Sequence, residues 1–209
     1  MVVSEYDYQK AWEKRVGPGT CHIGGVPGIE KIFEDATRPI VNNKSVTVLD
    51  YGCGGGLLGE YLTKHFDVDF YAGVDVAERS VEAAKDVMKR SRLANKKWDI
   101  KKVPSMAPMI KKEFEYLFCL NVIQHMPDHA HLSAILKSLN QSKAKIIILN
   151  FRVGGKLKFA DHPYKTTKEI NLANSMPRKI IDNNLTNYTP RETQKQNDDF
   201  QLVVYDLCQ

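Results

Sequence analysis

The sequence predicts an α/β protein built on a doubly wound sheet, and three observations carry the prediction. Short β-branched runs alternate with segments of helical periodicity along most of the chain. The first such run, VTVLD at 46–50, passes straight into the glycine cluster YGCGGG. The 209 residues fit one domain, long enough to bury roughly 70% of the surface its unfolded form exposes. Repeated strand-then-helix units of this kind build a parallel sheet with helices on both faces.

The run at 46–50 is short, apolar and β-branched, the mark of a buried strand. Leu57, Leu58, Tyr61 and Leu62 then recur at helical spacing, so a helix starts near Gly55 or Gly56. A second strand is expected over 70–74 and a second helix over 78–92, where Val81, Ala84, Val87 and Met88 share one face. A weaker strand covers 97–103, a fourth covers 116–120, and a helix follows over 129–139. KIIILN at 145–150 is the clearest strand of all. Beyond Arg152 the pattern thins to a helix near 167–181 and a strand around 187–192. FQLVVYDL at 200–207 reads as a last strand that closes an antiparallel hairpin across QKQNDD.

Charged residues make up 26% and hydrophobic ones 43%, as in an ordinary soluble globular protein, and no apolar run approaches the ~20 residues of a membrane span. MVVSEYDYQKAWEK lacks the apolar centre of a signal peptide, so a cytoplasmic protein with no membrane partner is expected. Cys21, Cys53, Cys119 and Cys208 are scattered without a CxxC pair, which argues against a disulfide framework and against a metal site. The net charge is +5, and ten basic residues stand between Lys85 and Lys112 against Asp86 and Asp99. That density resembles a nucleic-acid patch. However, residues 89–102 join the second helix to the third strand, at the sheet edge opposite the one where ligands bind, so a solvated surface is expected there.

A tight turn from the carboxyl end of a parallel strand into a helix is where such sheets bind ligands, and glycines let a ligand approach the backbone. Two parsings of this turn compete with a third reading, a bare turn that binds nothing. Gly54, Gly56 and Gly59 spell GxGxxG, and Asp75 ends the next strand, where a dinucleotide enzyme keeps its ribose-binding acid. That parsing makes the protein an NAD-dependent oxidoreductase. The other parsing is Asp50-x-Gly52-x-Gly54-x-Gly56, with an acid inside the strand end. A carboxylate there suits a ligand carrying an ammonium group and repels a pyrophosphate lying on the loop, so charge favours the second parsing.

VLDYGCGGG resembles the first motif of the class I S-adenosylmethionine-dependent methyltransferases, and YAGVDVAERSVEAAK resembles their second. FEYLFCLNVIQHMPD, at 114–128, is similar to their fourth-strand motif. The three occur in the family's order across 46–150. The resemblance implies a seven-stranded, mostly parallel sheet of order 3-2-1-4-5-7-6 whose last strand runs antiparallel. It also implies S-adenosyl-L-methionine as methyl donor and S-adenosyl-L-homocysteine as product. The implied donor site takes Asp50, Gly52, Cys53, Gly54 and Gly56 from the first motif, Asp75 for the ribose hydroxyls, and Val76 beside the adenine. Ser105, Met106 and Asn121 complete it. Many members carry an acid after the third strand, whereas KKVPSMAPM offers Ser105 and main chain.

The leading segment holds Tyr6, Tyr8, Trp12 and Arg15 at near-helical spacing. In similar methyltransferases such a helix folds over the donor, and Arg15 would meet the methionine carboxylate; a plain packing helix is the alternative. VGPGTCHIGGVPG reads as a lid loop. Residues 1–45 are thus expected to cover the donor site of a single domain at 46–209.

His125 lies in the loop after the fourth strand, where a histidine suits proton abstraction from a hydroxyl or amine, or else packs the loop. Asn121 either bonds acceptor or donor or shapes the turn. Residues 152–199 form the expected acceptor segment, and eight basic residues in 152–191 against Asp161, Glu169 and Asp182 favour an anionic acceptor. Asn121-Val122-Ile123-Gln124 is not the DPPY-like or NPPY-like tetrapeptide of DNA amino methylation, and Cys53 and Cys119 lack the Pro-Cys context of cytosine C5 chemistry. Methyl transfer to oxygen or nitrogen of a small-molecule, nucleotide or RNA acceptor remains, beside a binding protein that holds the donor without catalysis.

Overall fold

The computed structural model describes residues 5–15, 28–40, 44–92, 97–104, 113–153, 178–196 and 200–208. The greater part of the lid loop, Cys21, Ser105, Met106 and most of the acceptor segment lie outside these residues. Helices α1 (Glu5–Arg15) and α2 (Ile29–Thr37) precede the first unit, β1 (Val46–Tyr51), α3 (Leu57–His65), β2 (Val68–Asp75) and α4 (Glu78–Arg90). Then come β3 (Lys97–Lys102), β4 (Tyr116–Cys119), a 3-10 turn (Ile123–His125), α5 (His129–Asn140) and β5 (Ile146–Arg152). The chain closes with α6 (Arg178–Asn184), β6 (Tyr188–Lys195) and β7 (Phe200–Leu207).

The seven strands lie in the order β3-β2-β1-β4-β5-β7-β6. β1 pairs in parallel with β2 and β4, β2 with β3, and β4 with β5. β7 runs antiparallel to both β5 and β6, which makes the expected hairpin. Sequence order and geometry agree here because KIIILN and FQLVVYDL are buried on both faces and have to lie inside the sheet.

Period-2 alternation divides the core into two layers. Val46 and Val48 face Phe33, Leu58, Tyr71, Val81 and Met88, the side covered by α2, α3 and α4. Leu49 and Tyr51 face Tyr8, Trp12, Ile135 and Leu139, the side covered by α1 and α5.

One expectation is corrected. β3 pairs in register with β2 so that Lys102 stands opposite Asp75, at the carboxyl edge. The basic stretch therefore does not face wholly away from the ligand edge. A strand advances about 3.3 Å per residue, so its last lysine ends on the far side of the sheet from its first.

Candidate active site

The glycine turn is stitched to β2. The N–H groups of Gly52 and Cys53 both donate to Val74 O, at 2.8 and 2.9 Å. Gly54 (φ 51°) donates its N–H to Asp75 Oδ2 at 2.9 Å, and Ala77 donates to Oδ1 at 2.9 Å. Gly52 has φ 79°, and a Cβ there would collide with Val122. Burial pushes the Asp75 carboxyl above its usual range, while the N–H groups of Ala77, Gly54 and Val76 pull it back.

A cavity opens at this carboxyl edge. Its polar floor is Gly52, Gly54 and Asp75; Val76, Ser80 and Val103 continue it. Tyr8 and Trp12 of α1 form an aromatic wall, and Asn121, His125 and Met126 stand at the β4 end. The imidazole of His125 meets the Trp12 ring edge-on, with centroids 5.2 Å apart. Tyr8 packs 5.2 Å from the ring of His131, whose Nδ1 lies 2.8 Å from Asp128 Oδ1. Asp128 also accepts the His131 N–H at 3.0 Å and so caps α5.

α1 is held across this opening by Glu13. Its carboxylate accepts the N–H groups of Glu78 at 2.5 Å and Arg79 at 3.4 Å, capping α4 where no local side chain does so. Lys102 Nζ sits 3.5 Å from the same carboxylate.

Of the residues expected from sequence, Gly52, Gly54, Asp75, Val76, Asn121, Trp12 and His125 meet around one cavity. Asp50, Cys53 and Gly56 are not among its lining residues. Asp50 shares the face of Val48, where its Oδ2 accepts the Tyr71 hydroxyl at 2.7 Å. Burial pushes Asp50 up to about 7, against the lowering effect of that bond. Cys53 is buried, and burial, with the Asp75 and Asp50 charges, raises its thiol well above the usual range, so it is inert as a nucleophile. Gly56 begins α3. The side chain of Arg15, like Ser105 and Met106, lies outside what is described.

Val103, Met126 and Ile135 were not expected at the site, whereas Tyr8 stood on the leading helix expected to fold over it. Tyr8 shares a helix with Trp12 four residues on, the spacing that puts both on one face. No group of acidic, histidine or cysteine side chains suited to a metal occurs among the described residues. No described helix is long and apolar enough to cross a membrane.

A sheet of this order, with a cavity between a glycine turn and the loop after β4, is the architecture of the class I S-adenosylmethionine-dependent methyltransferases. The chain belongs to the methyltransferase domain family, whose model matches residues 42–202. It is 32% identical over 83 residues to the ubiquinone biosynthesis O-methyltransferase of Neisseria meningitidis serogroup C, covering 40% of this chain and 34% of that protein. It is 35% identical over 101 residues to the mitochondrial enzyme of that name from Candida albicans, covering 47% and 25%. The aligned region thus spans about a third or less of these relatives.

Among solved structures, the N-methyltransferase NodS of Bradyrhizobium japonicum WM9 with S-adenosylhomocysteine superposes with a TM-score of 0.72 at 14% identity, over 97% of this chain and 99% of that one. Magnesium protoporphyrin IX methyltransferase of Synechocystis PCC 6803, also with S-adenosylhomocysteine, gives 0.66 at 18% identity over 95% and 94%. These likenesses establish the fold.

Proposed function

We propose that the chain methylates an oxygen or nitrogen of a small molecule, holding S-adenosylmethionine in the cavity at the carboxyl edge. The observation that carries this reading is the convergence of Asp75, the Gly52–Gly54 turn and the aromatic wall on one space, with His125 at its far end. The residues fit the donor. The Asp75 carboxylate suits two ribose hydroxyls, Val76 and Val103 give a flat base apolar surfaces, and the turn has no side chain to block an approaching tail. Bound there, S-adenosylmethionine supplies a methyl group activated by a sulfonium centre.

The chain's own contribution is to position and to exclude water. Tyr8 and Trp12 wall the cavity, and Trp12 packs edge-on against the His125 ring. His125 takes the proton of an acceptor hydroxyl or amine arriving beside it, a step an already deprotonated acceptor does not need. The relatives named as O-methyltransferases favour oxygen. The basic residues of 152–191 favour an acceptor carrying negative charge.

Labelled S-adenosylmethionine incubated with the protein and a panel of phenols, carboxylated aromatics, amines and RNA tests the reading. Label in a small molecule supports it, and label in RNA alone overturns it. S-adenosylhomocysteine binding with no transfer to any class would make the chain a binding protein.

A further inference from the structure

Asn121 is one of two non-glycine residues with positive φ among the described residues, at 58°. Its main-chain N–H donates to Asn150 Oδ1 at 2.5 Å. Asn150 lies in β5 and is completely buried. Its Nδ2 donates to Asn121 Oδ1 at 3.0 Å and to Gln196 Oε1 at 3.1 Å. A main-chain N–H can only donate, so the Asn150 atom facing it must be the oxygen. The remaining orientations follow. The Asn150 nitrogen faces Asn121 and Gln196, and each of these must turn its oxygen inward. Gln124 Nε2, 3.5 Å from the same Asn121 oxygen, adds to the bias. Asn121 therefore presents its NH2 group away from the network, and Asn121 lines the cavity. Among the described residues no acceptor meets that group.

We propose that Asn150 is a positioning residue that fixes Asn121 as a hydrogen-bond donor into the cavity, where it receives the carboxylate of the methyl donor's amino-acid tail. The inference rests on the donor-site half of the function proposed above. With the ribose at Asp75 on β2, the tail crosses the β1 turn toward β4, where Asn121 stands, because β1 lies between β2 and β4. The tail ends in an ammonium and a carboxylate, and an NH2 group can bond only the second. The buried relay keeps Asn121 from turning over and offering its oxygen to the ammonium instead.

Asn121→Asp keeps the inward oxygen and replaces the outward NH2 with oxygen, and aspartate tolerates the left-handed backbone. By isothermal titration its affinity for S-adenosylhomocysteine is expected to fall at least tenfold. Its affinity for 5′-methylthioadenosine, which has no amino-acid tail, should stay within twofold. Asn150→Leu should show the same split with a three- to tenfold loss. In protein labelled with [15N]asparagine, the side-chain NH2 signal that vanishes in Asn121→Asp should move on adding S-adenosylhomocysteine and stay in place with 5′-methylthioadenosine.

That signal is readable even if Asn150→Leu does not fold. Unchanged S-adenosylhomocysteine affinity in Asn121→Asp, equal losses for both ligands, or an unmoved signal would overturn the proposal. A wild-type protein that binds neither ligand overturns the donor site with it. An empty acceptor panel leaves the titrations as they are.

Discussion

Both oxygens of Asp75 are already engaged with main-chain N–H groups, Oδ2 with Gly54 and Oδ1 with Ala77. A carboxylate oxygen has two lone-pair directions, so each can still accept a ribose hydroxyl. Charge-assisted bonds of this kind are worth roughly 1.5–3 kcal/mol each, and about 1.4 kcal/mol is a factor of ten. Asp75→Ala should therefore weaken S-adenosylhomocysteine at least tenfold in a titration, with the circular dichroism spectrum preserved. Gly54→Val puts a β-branched side chain at φ 51° beside that carboxylate, and should abolish binding while the sheet still forms. Normal binding by a folded Gly54→Val protein would reduce the loop to a turn. Asp75 and the glycines were legible because a motif fixes their place at a strand end. Asp50 was legible as a motif residue, but strand periodicity turns its side chain to the face of Val48 and Tyr71, away from the aromatic wall. Asn150 carried no signal, since its role depends on Asn121 and Gln196, which are 29 and 46 residues away in sequence.

At the scale of elements, α1 reaches the site with Tyr8 and Trp12 and is latched to α4 by the Glu13 carboxylate. Glu13 occupies the position of a missing N-cap on α4, where the helix dipole and two unsatisfied N–H groups attract negative charge. Loss of a capping group costs about 0.5–2 kcal/mol, and here much of that cost falls on the docking of α1. Glu13→Ala is expected to speed cleavage at Lys10 and Lys14 in limited trypsin digestion and to weaken S-adenosylhomocysteine several-fold, because Tyr8 and Trp12 travel with the helix. An unchanged digestion pattern would show that aromatic packing alone holds α1. The leading helix was legible from its aromatic spacing. Its latch was not, because Glu13 and Glu78 are 65 residues apart and nothing local pairs them. The β1 to β5 strands fell within a few residues of expectation, since each is a compact apolar run. The tail was harder: β6 is exposed along most of its length, so burial leaves no clear pattern in its sequence.

The whole molecule is two apolar layers pressed on one sheet, and Asp50 is an ionisable group inside one of them, 3% exposed. Its strand order was legible only through the family resemblance, because periodicity shows which segments are strands and not which lie side by side. Burial raises the Asp50 carboxyl from 3.8 to about 7. The unfolded chain gives up this proton near pH 4, while the folded chain keeps it until about pH 7, so the folded state binds more protons in between. Stability from this group is therefore full below the unfolded value, falls as pH rises through that window, and is level above it. Between pH 5 and pH 8 the loss is on the order of 3 kcal/mol, at about 1.4 kcal/mol per unit. Asn in this place still offers an oxygen to the Tyr71 hydroxyl and has no proton to lose. In urea denaturation, Asp50→Asn should thus gain on the wild type by a margin of this order at pH 8 relative to pH 5. A stability difference that is the same at both pH values would mean that Asp50 is already ionised in the folded protein at pH 5, compensated by its surroundings instead of neutralised by burial.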